Sequence, residues 1–131
     1  MKIVYVDTSV LGSILFCEPG FETYQNLLAE CKDVFTSALT EVELLSMAKR
    51  EKVPSHKAVD LLENVLFFYP TRSFRKECLN MFEKGYCRGA DAYHIASATY
   101  LKDRLPLLTF LTADKKQAKL AKLSGLSVVQ D

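Results

Sequence analysis

The sequence predicts an α/β fold in which a parallel sheet is covered on both sides by helices, and three observations lead there. Two runs, Ile3-Val4-Tyr5-Val6 and Leu107-Leu108-Thr109-Phe110-Leu111-Thr112, are almost continuously apolar, as strands buried on both faces are. Segments with helical spacing lie between the strand-like runs. Strand and helix alternate along the chain without a linker, repeat or low-complexity stretch, the pattern of a sheet wrapped by crossover helices. At 131 residues and 49% hydrophobic composition, the chain suits a single domain, 1–131, that buries roughly two thirds of its unfolded surface.

The elements follow in order. Residues 2–6 form the first strand, and 8–16 a short helix that stops before the Glu18-Pro19-Gly20 break. Tyr24, Leu27, Leu28 and Cys31 recur at helical spacing, so 21–32 is a second helix, and Val34-Phe35-Thr36 is a strand. Residues 38–51 and 55–66 form a helical pair divided by Val53-Pro54, proline being suited to a first helical turn. Phe67-Phe68-Tyr69 makes another strand. Helices at 72–84 and 89–103 are separated by Gly85 and the Arg88-Gly89 pair, and Pro106 closes the second. The strand at 107–112 leads into a lysine-rich helix at 114–124, which Gly125 ends before a last strand at Leu126-Ser127-Val128-Val129.

Composition excludes several classes of function. A net charge of +1 gives no molecule-wide field of the kind strongly basic nucleic-acid binders carry, so a polyanion must be held by local patches and metal. The four cysteines, Cys17, Cys31, Cys78 and Cys87, include no C-x-x-C pair and no zinc-like spacing with His56 and His94. They read as reduced thiols, which points to the cytoplasm. Asp7 interrupts the apolar N-terminus and Phe16 is too large for a lipoprotein cleavage site, so no signal peptide is expected. No run approaches the roughly 18 apolar residues that cross a bilayer, so no membrane partner is expected.

Four acids stand where carboxylates are hard to explain as surface decoration. Asp7 ends the first strand, Asp114 follows the 107–112 strand, and Glu43 and Asp91 sit near the starts of two helices. In a parallel sheet, ligands collect beyond the carboxyl ends of the strands, where Asp7 and Asp114 lie. Each acid also has a local explanation. Asp7 and Asp114 suit helix N-caps, Thr40-Glu41-Val42-Glu43 matches a capping box, and Asp91 is favoured in the first turn of its helix. Taken together, four acids on one rim repel and lose water, and a divalent cation relieves both penalties. An all-oxygen set suits Mg²⁺ or Mn²⁺ and phosphoryl hydrolysis.

Val6-Asp7-Thr8-Ser9, the segment from Thr36 to Leu44, the run Ala90-Asp91-Ala92-Tyr93-His94-Ile95-Ala96-Ser97-Ala98, and Leu111-Thr112-Ala113-Asp114 followed by Gly125-Leu126-Ser127-Val128-Val129 resemble the successive motifs of PIN-domain ribonucleases. Their order and spacing are most similar to VapC-type toxins of toxin–antitoxin pairs. The resemblance implies a three-layer α/β/α sandwich with a central, mostly parallel sheet, and Mg²⁺- or Mn²⁺-dependent endonucleolytic cleavage of RNA. It implies that Asp7, Glu43, Asp91 and Asp114 are the catalytic, metal-binding acids. Glu43 is chosen over Glu41 because it stands directly before Leu44. Two positions apart on a helix, the two cannot both face the site.

Ser9 and Thr112 are expected to orient a ligand carboxylate or water, and His94 to be a hydrogen-bonded packing residue that is not a ligand. Arg88 and Lys115 are the candidate contacts to substrate phosphate. Lys115, Lys119 and Lys122 form a basic stripe, and Arg72, Arg75, Lys76, Lys84 and Arg88 a looser basic group. Tyr86 and Tyr93 are candidates for base stacking. The apolar stretch from Leu11 to Phe35 is expected, by resemblance, to serve a homodimer interface or an antitoxin groove. Two rival readings are a catalytically silent PIN-like module that binds RNA or protein, and a phosphatase using Asp7 as nucleophile. The second usually has another acid two positions on, where this chain has Ser9.

Overall fold

The computed structural model describes residues 2–129. Five strands, β1 (Lys2–Val6), β2 (Cys31–Ser37), β3 (Leu66–Phe68), β4 (Thr109–Leu111) and β5 (Ser127–Val128), form one sheet in the order β3-β2-β1-β4-β5. Every neighbouring pair is parallel, so the expected mostly parallel sheet is parallel throughout its described strands. Seven helices connect them: α1 (Thr8–Leu15), α2 (Phe21–Glu30), α3 (Ala38–Arg50), α4 (Ser55–Leu62), α5 (Arg75–Lys84), α6 (Gly89–Lys102) and α7 (Lys115–Leu123).

The central strand β1 explains the layering. Val4, Tyr5 and Val6 are all fully buried, and because side chains alternate across a strand they feed two separate cores. Val4 and Val6 join Val10, Leu11 and Ile14 of α1, Leu44 and Ala48 of α3, and Ala58 and Leu62 of α4. Tyr5 joins Met81 of α5, Ile95, Ala96 and Ala98 of α6, and Leu120 and Ala121 of α7. Helices therefore cover both faces of the sheet, α1, α3 and α4 on one and α5 to α7 on the other. At Gly12 of α1 an added Cβ would lie 2.6 Å from Met47 Cε, so the lack of a side chain there leaves room for the tip of Met47 of α3.

Boundaries moved where tertiary contacts overrule local pattern. β2 begins at Cys31, where the expected helix was to continue to 32, because Lys2 and Cys31 pair across the sheet. The helix expected from 72 begins at Arg75, since Arg72 is drawn into a two-pronged ion pair with Glu77, at 2.9 and 2.6 Å. The helix expected to reach 66 stops at Leu62, which frees Leu66–Phe68 to pair with β2. The strand expected over 107–112 is reduced to Thr109–Leu111, the residues that pair with Val4–Val6.

That shortening separates two leucines in one apolar run. Leu111 is 1% exposed and Leu107 84%. Leu111→Ala should destabilise the protein by about 2–5 kcal/mol through a core cavity, whereas Leu107→Ala should stay within about 0.5 kcal/mol. Urea unfolding midpoints of the two variants measure the difference.

Candidate active site

The sheet order reverses at β1. From β1 the chain runs outward through β2 and β3, then returns to place β4 and β5 on the other side. The crevice beyond the carboxyl ends of β1 and β4 is the position where open parallel sheets bind ligands. Asp7 lies there, one residue past β1, with its amide donating to Leu111 O at 3.2 Å.

Asp7 has the extended backbone of an N-cap for α1, yet its carboxylate makes no capping bond. Ser9 Oγ instead donates to Oδ1 at 2.7 Å, and Thr112 Oγ1 lies 3.2 Å from Oδ2. Only 3% of Asp7 is exposed. Burial pushes its pKa from 3.8 to about 6, against the opposing pull of His94, Ser9 and Thr112 and with a further push from Asp91.

Glu43 departs furthest from its local sequence explanation. α3 begins at Ala38 with Ser37 as its N-cap, so Thr40 is already inside the helix and the expected capping box does not form. Thr40 Oγ1 pairs with Thr36 Oγ1 at 2.7 Å, while the Glu43 carboxylate reaches out of α3 toward α1 and α6. Its Oε1 meets Thr8 Oγ1 at 2.7 Å and His94 Nε2 at 2.8 Å. Burial pushes the Glu43 pKa up, but the bonds from His94 and Thr8 outweigh it, and the net pKa is below the ordinary value. Glu41 is exposed and lines a separate groove with Leu45, Val59 and Phe67.

Asp91 stands in the first turn of α6, and Asp114 caps α7 by accepting from the amides of Lys116 and Gln117. The capping explanation of Asp114 therefore holds, and it leaves that residue on the same rim. Asp91 and Asp114 line a cleft of about 330 Å³ with Tyr86, Cys87, Arg88, Lys116 and Gln117. The Asp91 carboxyl is pushed up by burial, then by Asp114 and, more weakly, by Glu43. The Cys87 thiol, pushed up to about 11 by burial and by Asp91 and Asp114, registers the same negative field. Asp7 and Glu43 do not line this cleft, and among the described residues no three His, Cys, Asp or Glu side chains form a ready cage for an ion.

Of the two expected phosphate contacts, Arg88 lines the cleft and Lys115 does not; Lys116 occupies that place. Tyr86 is 73% exposed at the rim, while Tyr93 packs against Phe74 at 5.2 Å between ring centres. Arg72, counted with the basic group, is engaged by Glu77 and lies 5.1 Å from the centre of the Tyr100 ring.

Three residues matter more than the sequence reading allowed. Thr8, given no role of its own from the sequence, donates to Glu43. His94 is 1% exposed and holds Glu43 through one ring nitrogen and Tyr5 through the other, at 2.7 Å. Gln117, also 1% exposed, takes the Thr112 hydroxyl proton on Oε1 at 2.6 Å and donates from Nε2 to Asp91 O at 3.1 Å. Its amide bonds Asp114, so this one residue ties together the segments carrying three of the acids. A sequence signal for Gln117 existed: it falls on the stripe of Leu120 and Ala121, where a polar side chain is buried and needs partners.

Comparison with known proteins agrees with this architecture. The family model for the PIN domain matches residues 4–123, and no curated protein matches the chain. The structure of VapBC2 from Rickettsia felis bound to a DNA fragment from their promoter is similar with a TM-score of 0.66 at 16% identity, covering 98% of both chains. That of VapBC-1 from nontypeable Haemophilus influenzae gives 0.69 at 18%, again over 98% of both. FitAB bound to the IR36 DNA fragment gives 0.66 at 19%, over 96% of this chain and 93% of the other. At such identities the likeness speaks for the fold alone. With acids at the switch point of a parallel sheet and a family match across nearly the whole sequence, this chain belongs to the PIN domain family.

Proposed function

We propose that this chain is a metal-dependent endoribonuclease that hydrolyses RNA phosphodiester bonds, the toxin half of a VapC-like toxin–antitoxin pair. One observation supports this above the rest: acids from four separate segments act on one another at one rim, Asp91 pushing up Asp7 while Asp114 and Glu43 push up Asp91. A fold with no use for a cation would gain by losing one of them.

The donors fit a hard divalent ion. All are oxygens, and Mg²⁺ keeps several of its waters and binds directly through only one or two carboxylates, so a hydrated ion needs no closed cage of protein ligands. Asp7, Glu43, Asp91 and Asp114 would hold it, directly or through water. When bound, the ion supplies polarisation of the phosphodiester, a more acidic attacking water and neutralisation of the leaving oxygen. The chain's own residues do the rest. Ser9 and Thr112 fix the Asp7 carboxylate, and Gln117 fixes Thr112 and the start of α6. Arg88 and Lys116 hold RNA phosphate at the cleft, with Tyr86 exposed beside them to stack on a base. A separate groove of about 570 Å³, lined by Leu11, Ile14, Leu28, Val34, Leu61 and Val65 among others, is the place for an antitoxin segment or a second copy of the chain.

Chelator-sensitive cleavage of RNA tests the reading. Millimolar Mn²⁺ should support cleavage, EDTA should abolish it, and Asp7→Asn should lower the rate by roughly 100-fold or more. A folded wild-type protein that binds RNA or a protein partner but leaves RNA intact with Mn²⁺ present would make the chain a silent binding module.

Asp7 also links stability to pH. Its folded pKa, about 6, lies above the ordinary 3.8, so the folded state binds this proton more tightly than the unfolded chain. The contribution of Asp7 to apo stability should fall as pH rises from about 4 through 6, by up to roughly 3 kcal/mol, which the difference between wild type and Asp7→Asn isolates from the other carboxylates. Asp7→Asn removes that loss, and its amide can donate to Thr112. Melting curves without metal should show the variant several degrees more stable than wild type at pH 7, with the gain gone below pH 4. Added Mn²⁺ should raise the wild-type melting temperature and leave that of Asp7→Asn unchanged.

A further inference from the structure

We propose that His94, held by Tyr5, is a positioning residue that aims the Glu43 carboxylate; this deepens the nuclease reading and rests on it. Both ring nitrogens are engaged, Nδ1 with the Tyr5 hydroxyl at 2.7 Å and Nε2 with Glu43 Oε1 at 2.8 Å. An ionised carboxylate can only accept, so Nε2 carries a proton. In the neutral ring Nδ1 is then the acceptor, and the Tyr5 hydroxyl donates to it, a tautomer assigned from the network. Tyr5 is itself immobile: it is fully buried and stacked on Phe110, with ring centres 5.7 Å apart and planes 8° off parallel.

The consequence for Glu43 is specific. His94 and Thr8 both bond Oε1, and among the described residues no hydrogen bond to Oε2 accompanies them. One oxygen is pinned while the other is left for an ion or an ordered water. Without these bonds a glutamate in the second turn of a helix has three side-chain torsions to explore, and it is half-exposed. The bond from His94 also crosses the molecule, because α3 packs in the core on one face of the sheet and α6 in the core on the other.

Two conservative variants separate aiming from mere packing. A glutamine amide can place its nitrogen near the imidazole Nε2 and keep the bond to Glu43; an asparagine reaches only toward Tyr5. RNA cleavage by the full chain at saturating Mn²⁺, Mn²⁺ binding by calorimetry without RNA, and thermal unfolding are read for each. His94→Asn should lose about 10- to 100-fold in kcat or in Mn²⁺ affinity with KM for RNA unchanged, and His94→Gln should recover most of it. Tyr5→Phe, which keeps the stacked ring and removes the hydroxyl, should show a smaller loss in the same parameters.

A purely structural histidine would lower the melting temperature alike in both His94 variants, with no difference in kcat or Mn²⁺ affinity between them, and that result overturns the inference. If His94→Asn does not fold, Tyr5→Phe decides: wild-type kcat and Mn²⁺ affinity in that variant overturn it too. Failure of the underlying reading looks different, because there the wild-type protein neither binds Mn²⁺ nor cleaves RNA. When wild type does both, the variants judge His94 alone.

Discussion

A carboxylate taken almost wholly out of water at the end of the central strand is the constraint around which this molecule is organised. Asp7 cannot move outward, because β1 is locked on both sides by β2 and β4 and is buried on both faces. Its charge is therefore met in place. Ser9 and Thr112 supply hydroxyls, Ser9 is bonded by the amide of Ala113, and Thr112 is anchored by Gln117. The polar apparatus at this end of the sheet is a response to that single burial, built from short side chains that begin helices or end strands.

The same logic distinguishes the acids from one another. Asp114 is exposed and employed as a helix cap, so it adds charge to the cleft at little cost to the fold. Glu43 is held below its ordinary pKa by direct donors, whereas Asp7 is held above its own by burial and by Asp91, and Asp91 by burial, Asp114 and Glu43. Carboxylates with diverging environments on one rim are a signature of sites that handle protons and cations.

Much of this was legible in the sequence, for definite reasons. An uninterrupted apolar run reports a strand buried on both faces, and Asp7 directly after Val6 marks where that strand meets solvent or a ligand. The acids could be placed on one edge because parallel topology sends every strand's end the same way. What the sequence hid was partnership across long separations. Thr40-Glu41-Val42-Glu43 satisfied a local capping rule, but the helix starts two residues before Thr40, and a threonine and a histidine 35 and 51 residues away claimed the glutamate. Local pattern also placed the phosphate contact on Lys115, whereas one further step around α7 turns Lys116 toward the cleft. Strand lengths were misjudged wherever pairing partners, which a single sequence does not display, set the limits.

The parallel pairing of β1 with β4 has a temporal side. Asp7 is synthesised 105 residues before Thr112, which holds it, and the strand that flanks it and the cap that completes the rim also belong to residues 109–114. A growing polypeptide thus lacks this crevice until Asp114 has been added. Any chemistry that needs the assembled rim is therefore out of reach of a nascent chain that has not yet made β4 and the cap of α7.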